Sequence, residues 1–90
     1  MPKYVVLVQS QPEKYYRRVP AAIGKALKAC FIQLENSPHH HLGKIKKLQG
    51  YQSLYRYRVG DLRVIYEINE SRREVAVVAI LPRGDAYKKI

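Results

Sequence analysis

The sequence predicts an α+β fold of order β-α-α-β-β-β, a mainly antiparallel sheet with two N-terminal helices packed on one face. Three observations carry this expectation. Ile23, Leu27, Cys30 and Leu34 recur at helical spacing, three later runs are rich in β-branched and aromatic residues, and a Gly-Asp pair joins two of those runs as a hairpin would. With 90 residues there is room for one domain, residues 1–90, because so short a chain buries only about 60% of its unfolded surface. At 47% hydrophobic residues it lacks the composition of a disordered segment.

Taken in order, Tyr4 to Val8 reads as a strand that the turn-forming Gln9-Ser10-Gln11-Pro12 cuts off. Ser10 followed by Glu13 resembles a capping box and predicts a short helix to Arg17 or Arg18, with Pro12 tolerated in its first turn. A second helix runs from Pro20 to about Asn36, where Asn36-Ser37-Pro38 stops it, with Ile23, Leu27, Cys30 and Leu34 forming its inner face. Residues 37–53 show no periodicity and are expected to form a loop. Leu54 to Val59, Leu62 to Asn69 and Glu74 to Leu81 are the three meander strands, separated by Gly60-Asp61 and by the charged turn Asn69 to Arg73.

Gly at the first central position suits a two-residue II′ hairpin, and that turn fixes a register. Val59 then pairs with Leu62, Arg58 with Arg63, Tyr57 with Val64, Arg56 with Ile65 and Tyr55 with Tyr66. Strand alternation gives one apolar face bearing Tyr55, Tyr57, Val59, Leu62, Val64, Tyr66 and Ile68. The other face gathers Arg56, Arg58 and Arg63. Like charges placed opposite one another cost stability, and bidentate contacts to a phosphate would offset that cost. A solvated basic surface or a dock for an acidic peptide fits the same three residues. Arg83 follows the last strand, with Pro82 expected to block further pairing and to bend Arg83 toward the arginines, and Tyr87 stands four residues on.

The remaining signals narrow the class. Lys and Arg number 17 against 7 Asp and Glu, a net +10 that calls for an anionic partner. Lys44, Lys46 and Lys47 suit phosphate-backbone contacts, and Tyr51 and Tyr87 are the tyrosines outside core spacing that could stack on bases. His39-His40-His41 cannot converge on one ion from a regular element, so neither metal nor other cofactor is expected. A lone Cys30 allows no internal disulfide and reads as core filler, which points to a reducing compartment. No run reaches the roughly 18 apolar residues of a membrane span, so a cytoplasmic protein is expected. There is no phosphate-binding glycine loop, nucleophile elbow or carboxylate pair suited to hydrolysis.

The stretches Lys47 to Gly50, Leu54 to Ile68 and Ala79 to Lys88 resemble the RelE family of toxins from type II toxin-antitoxin systems, within the RelE/ParE superfamily. The ending Pro82-Arg83-Gly84-Asp85-Ala86-Tyr87 is closer to the archaeal type. The resemblance implies a RelE-like fold, ribosome-dependent cleavage of A-site mRNA by attack of the ribose 2′-hydroxyl on the adjacent phosphate, and inhibition by an acidic RelB-like antitoxin. It carries the family's site residues onto Arg56, Arg58, Arg63, Arg83 and Tyr87. Two departures stand out. Arg56 and Arg58 replace lysines of some relatives, and arginine cannot act as a general base near pH 7. Pro82 occupies the place of a histidine, and Glu67 shares the arginine face two pairs away from Arg63. Catalysis would then rest on electrostatic stabilisation and in-line positioning. Two other readings share the fold: a ParE-like inhibitor of DNA gyrase, and an antitoxin-binding module without catalysis.

Overall fold

The computed structural model describes residues 3–39, 43–48 and 54–83. Its elements are β1 (Val5–Val8), α1 (Ser10–Arg18), α2 (Ala21–Asn36), β2 (Ile45–Lys47), β3 (Leu54–Val59), β4 (Leu62–Asn69) and β5 (Glu74–Pro82). One five-stranded sheet has the order β1-β5-β4-β3-β2. All neighbours are antiparallel except β1, which lies parallel to β5. That parallel pair needs a crossover, and the two helices supply it.

Both helices begin without a side-chain cap. The expected capping box is absent: Ser10 is already helical, Gln9 is the N-cap, and Glu13 donates its N–H to the Gln9 carbonyl at 3.0 Å. The Glu13 carboxylate turns outward to Arg17 at 2.7 Å, one helical turn on. Val19 and Pro20, both extended, separate the helices, and Pro20 caps α2 through its carbonyl. On α2, Leu27, Cys30 and Leu34 are fully buried as the spacing predicts, whereas Ile23, one turn before them, stays 39% exposed. It lies instead beside Gln11, Lys14 and Tyr15 of α1.

The inner face packs those three residues against Tyr57, Val64, Tyr66, Ile68, Val75, Val77 and Ile80. Burial of a leucine-sized side chain stabilises by about 1.5–3 kcal/mol, so Leu27 and Leu34 dominate the adhesion of α2. Tyr66 is fully buried, and its hydroxyl donates to the Pro38 carbonyl at 2.7 Å, which anchors the chain leaving α2. At the same end of the sheet the Tyr4 hydroxyl donates to Glu70 at 2.7 Å, and His39 meets the same carboxylate.

The meander strands match their expected bounds, with β5 one residue longer. The segment 37–53 is not all loop: Ile45–Lys47 forms an edge strand on β3. Three residues, two of them lysines, carry no strand signal of their own; pairing with β3 creates β2, and its lysines suit an edge that must not recruit other strands. Among the described residues no helix is long and apolar enough to cross a membrane.

Candidate functional site

The Gly60-Asp61 turn sets the geometry of the site. Gly60 has φ +56° while Asp61 does not take positive φ, the combination of a II′ hairpin. Arg58 then lies directly opposite Arg63, Arg56 opposite Ile65 and Tyr57 opposite Val64, the register the turn predicts. Because β4 is central in the sheet, Arg63 stands between β3 on one side and β5 on the other.

Arg63 is 7% exposed. One guanidinium nitrogen, Nη1, donates to the carbonyls of Gly60 and Leu62, both at 2.9 Å, which locks the side chain against its own hairpin. Its Nε is buried and has no hydrogen-bond partner among the described residues. Among the described residues no carboxylate pairs with it. Its acidity reflects these surroundings: burial pushes the guanidinium below its ordinary value, and so do the charges of Arg56, Arg83 and Arg58, with Asp61 opposing. A buried cation enclosed by cations is unfavourable as it stands. A tetrahedral oxyanion matches both the charge and the forked donors of the cluster.

Arg83 reaches this face through an irregularity that the sequence reading missed. Ile65 pairs with Ala79 but Tyr66 pairs with Val77, so Val78 is an extra residue in β5. This β-bulge shifts the alternation. Before it Val75 and Val77 point to the core; after it Ile80 does. Leu81, opposite Arg63, therefore lies on the arginine face, and Arg83 shares its parity. Without the extra residue Arg83 would have the parity of Val77 and point to the helices. The signal was present as a break in spacing, Val75, Val77, Ile80, but an almost uniformly apolar run conceals it. Pro82 does not block pairing, as the sequence had suggested: it lies opposite Leu62, and the N–H of Arg83 still donates to the Asp61 carbonyl at 2.8 Å. Ladder bonds alternate, so the missing N–H of Pro82 faces away from β4 and costs nothing there.

The other candidates divide. Lys46 lies opposite Arg56 and extends the basic face onto β2. Lys47 lies opposite Tyr55 and so belongs to the other face. Lys44, whose carbonyl accepts the Arg58 N–H at 2.8 Å, lines a cavity of about 380 Å³ with Tyr57 and Cys30 on the α2 side. Glu67, opposite Leu54, keeps the parity of Arg63 at the far end of β4. Tyr51 and Tyr87 lie outside the described residues. Among the described residues no three of His, Cys, Asp and Glu gather as metal ligands would.

A family model described as the ParE toxin of type II toxin-antitoxin system, parDE, matches residues 4–87. Among solved structures, the archaeal RelE-RelB complex from Pyrococcus horikoshii contains a chain 31% identical, with TM-score 0.82, covering 93% of this chain and 99% of that one. The RelB-RelE antitoxin-toxin complex from Methanococcus jannaschii gives 29% identity and TM-score 0.73 over 93% of this chain and 98% of that one. A double mutant of the Escherichia coli toxin RelE in the free state shares the fold at 18% identity and TM-score 0.77, over 97% of this chain and 90% of that one. Among curated proteins none matches significantly.

Proposed function

The chain belongs to the RelE/ParE toxin superfamily of type II toxin-antitoxin systems, and on that premise we propose that it is a ribosome-dependent mRNA endoribonuclease that arrests translation in the cytoplasm. The observation that carries this reading is Arg63, buried and surrounded by Arg56, Arg58 and Arg83 on one face of a rigid sheet. In the proposed reaction the ribose 2′-hydroxyl attacks the adjacent phosphorus, an O2′–P bond forms and the P–O5′ bond breaks. The products are a 2′,3′-cyclic phosphate and a 5′-hydroxyl.

Arg56, Arg58 and Arg63 clamp the phosphate, and Arg83 stabilises the charge that builds on the pentavalent transition state or on the leaving oxygen. Tyr87 orients a base or the proton transfer, while Lys44, Lys46, Lys47 and Tyr51 contact RNA. A face of guanidinium groups repels divalent cations, so the reaction is taken as metal-independent. The toxin's partner is an acidic RelB-like antitoxin, steered by the +10 charge.

Primer extension on message from translating extracts tests this reading. Cuts that appear with the wild type, require translation and vanish with Arg83→Ala are expected; uncut message would overturn it. The ParE description of the matching family favours one other reading, inhibition of DNA gyrase. A supercoiling assay that the protein leaves unchanged would remove it.

A further inference from the structure

Among the described residues β5 is supported on both flanks only over its first half. β1 pairs with Glu74 to Val77, and the last main-chain bond on that side runs from the Gln9 N–H to the Val77 carbonyl at 3.0 Å. There the chain turns away into α1. Beyond the Val78 bulge, Ile80 faces Val64 of β4. The Arg83 N–H donates to the Asp61 carbonyl, so alternation turns the N–H and C=O of Ile80 away from β4, toward the flank that β1 has vacated. Ile80 is fully buried, and a buried peptide group without partners is destabilising.

Gln11 supplies both partners. From the first turn of α1 its carboxamide oxygen accepts the Ile80 N–H at 2.9 Å and its Nε2 donates to the Ile80 carbonyl at 3.0 Å. One side chain thus stands in for the next residue of β1. Among the described residues it is also the last hydrogen-bonded support on that flank before Pro82, which has no N–H to offer, and Arg83.

We infer that Gln11 is a positioning residue for Arg83, fixing the end of β5 from α1 so that the guanidinium meets the phosphate held by Arg63. The inference rests on the endoribonuclease reading for its kinetic consequence and on the hydrogen bonds alone for its structural one. The amide is specific: a glutamate would still accept from Ile80 N–H but has no donor for the carbonyl, and a methionine of similar length fills the space and makes neither bond.

The test combines single-turnover cleavage of ribosome-bound mRNA by the wild type, Gln11→Met, Arg83→Ala and the double variant with amide hydrogen exchange on the free protein. Gln11→Met should lower the maximal rate about tenfold with the half-saturating concentration changed by less than about twofold, and the double variant should be no slower than Arg83→Ala. Exchange at Leu81 and Arg83 should speed up while Val75 and Val77 keep their protection, with Gln11→Glu intermediate. A rate unchanged by Gln11→Met, or losses that simply multiply in the double variant, would overturn the inference. Should the wild type fail to cleave, the endoribonuclease reading falls alone; exchange then decides the structural part, and an Arg83 amide unaffected by Gln11→Met overturns that.

Discussion

At Arg63 folding and the proposed anion binding pull in opposite directions. The side chain is desolvated, opposes Arg58 directly, and spends one nitrogen on the carbonyls of its own hairpin. Replacing a buried charge by an apolar side chain of similar length often stabilises. Arg63→Met is therefore expected to raise the melting temperature, by about 4–8 °C for each kcal/mol recovered, while abolishing function; a lower melting temperature would mean that the cluster supports the fold. Glu70, at the other end of the sheet, behaves in the opposite sense. The Tyr4 hydroxyl and then His39 hold its carboxyl below the usual range, with Arg73 adding to the effect. Its folded value lies below its unfolded one, so its contribution is present above about pH 4.3 and is lost as pH falls through the folded value. Glu70→Gln should flatten the acid limb of stability below about pH 4.3 in urea titrations; an unchanged acid limb would show that the contact is not formed in solution. The arginine residues themselves were legible in the sequence because a single turn, Gly60-Asp61, determines the parity of Arg56, Arg58 and Arg63.

Elements differ in how much of them the sequence shows. Helix α2 and strands β3 and β4 carry their own periodicity, and their bounds follow from it. Strand β2 and the bulge at Val78 exist through their neighbours: Ile45–Lys47 is a strand because β3 offers an edge, and Val78 is extruded because Val75, Val77 and Ile80 must all reach the core. Gln11 was equally silent, since an amide in a first helical turn reveals nothing about a strand it meets 69 residues later. Deleting Val78 forces a choice between burying Ile80 and presenting Arg83. Expected is loss of cleavage with a fall in stability of about 2 kcal/mol or more, read by denaturant titration; retained cleavage would show that parity does not deliver Arg83. On α2, burial against the sheet pushes the Cys30 thiol up to about 12 despite the opposing charge of Lys44. Native protein at pH 8 should resist thiol reagents and label only at its unfolding rate; rapid labelling would mean that the cavity beside Lys44 opens to the thiol.

For the molecule as a whole, the surplus of 17 basic over 7 acidic residues has a distribution as well as a size. Lys46, Arg56, Arg58, Arg63 and Arg83 share one side of the sheet with the buried Ile65, the helices and the main apolar core occupy the other, and Lys44 and Lys47 turn toward the core side. The fold thus separates a hydrophobic face that makes the protein stable from a cationic face that opposes its stability, and the II′ turn, the bulge and the Gln11 bridge all act to aim charge onto the second. The central claim is that these guanidinium groups act together on one phosphate of mRNA. Single-turnover cleavage of mRNA in a programmed ribosome tests it most directly, with Arg63→Ala, Arg83→Ala and their combination beside the wild type. Each single change should slow cleavage about 10²–10³-fold, and the pair should lose far less than the product of the two. Cleavage that proceeds at the wild-type rate without either arginine would contradict the account.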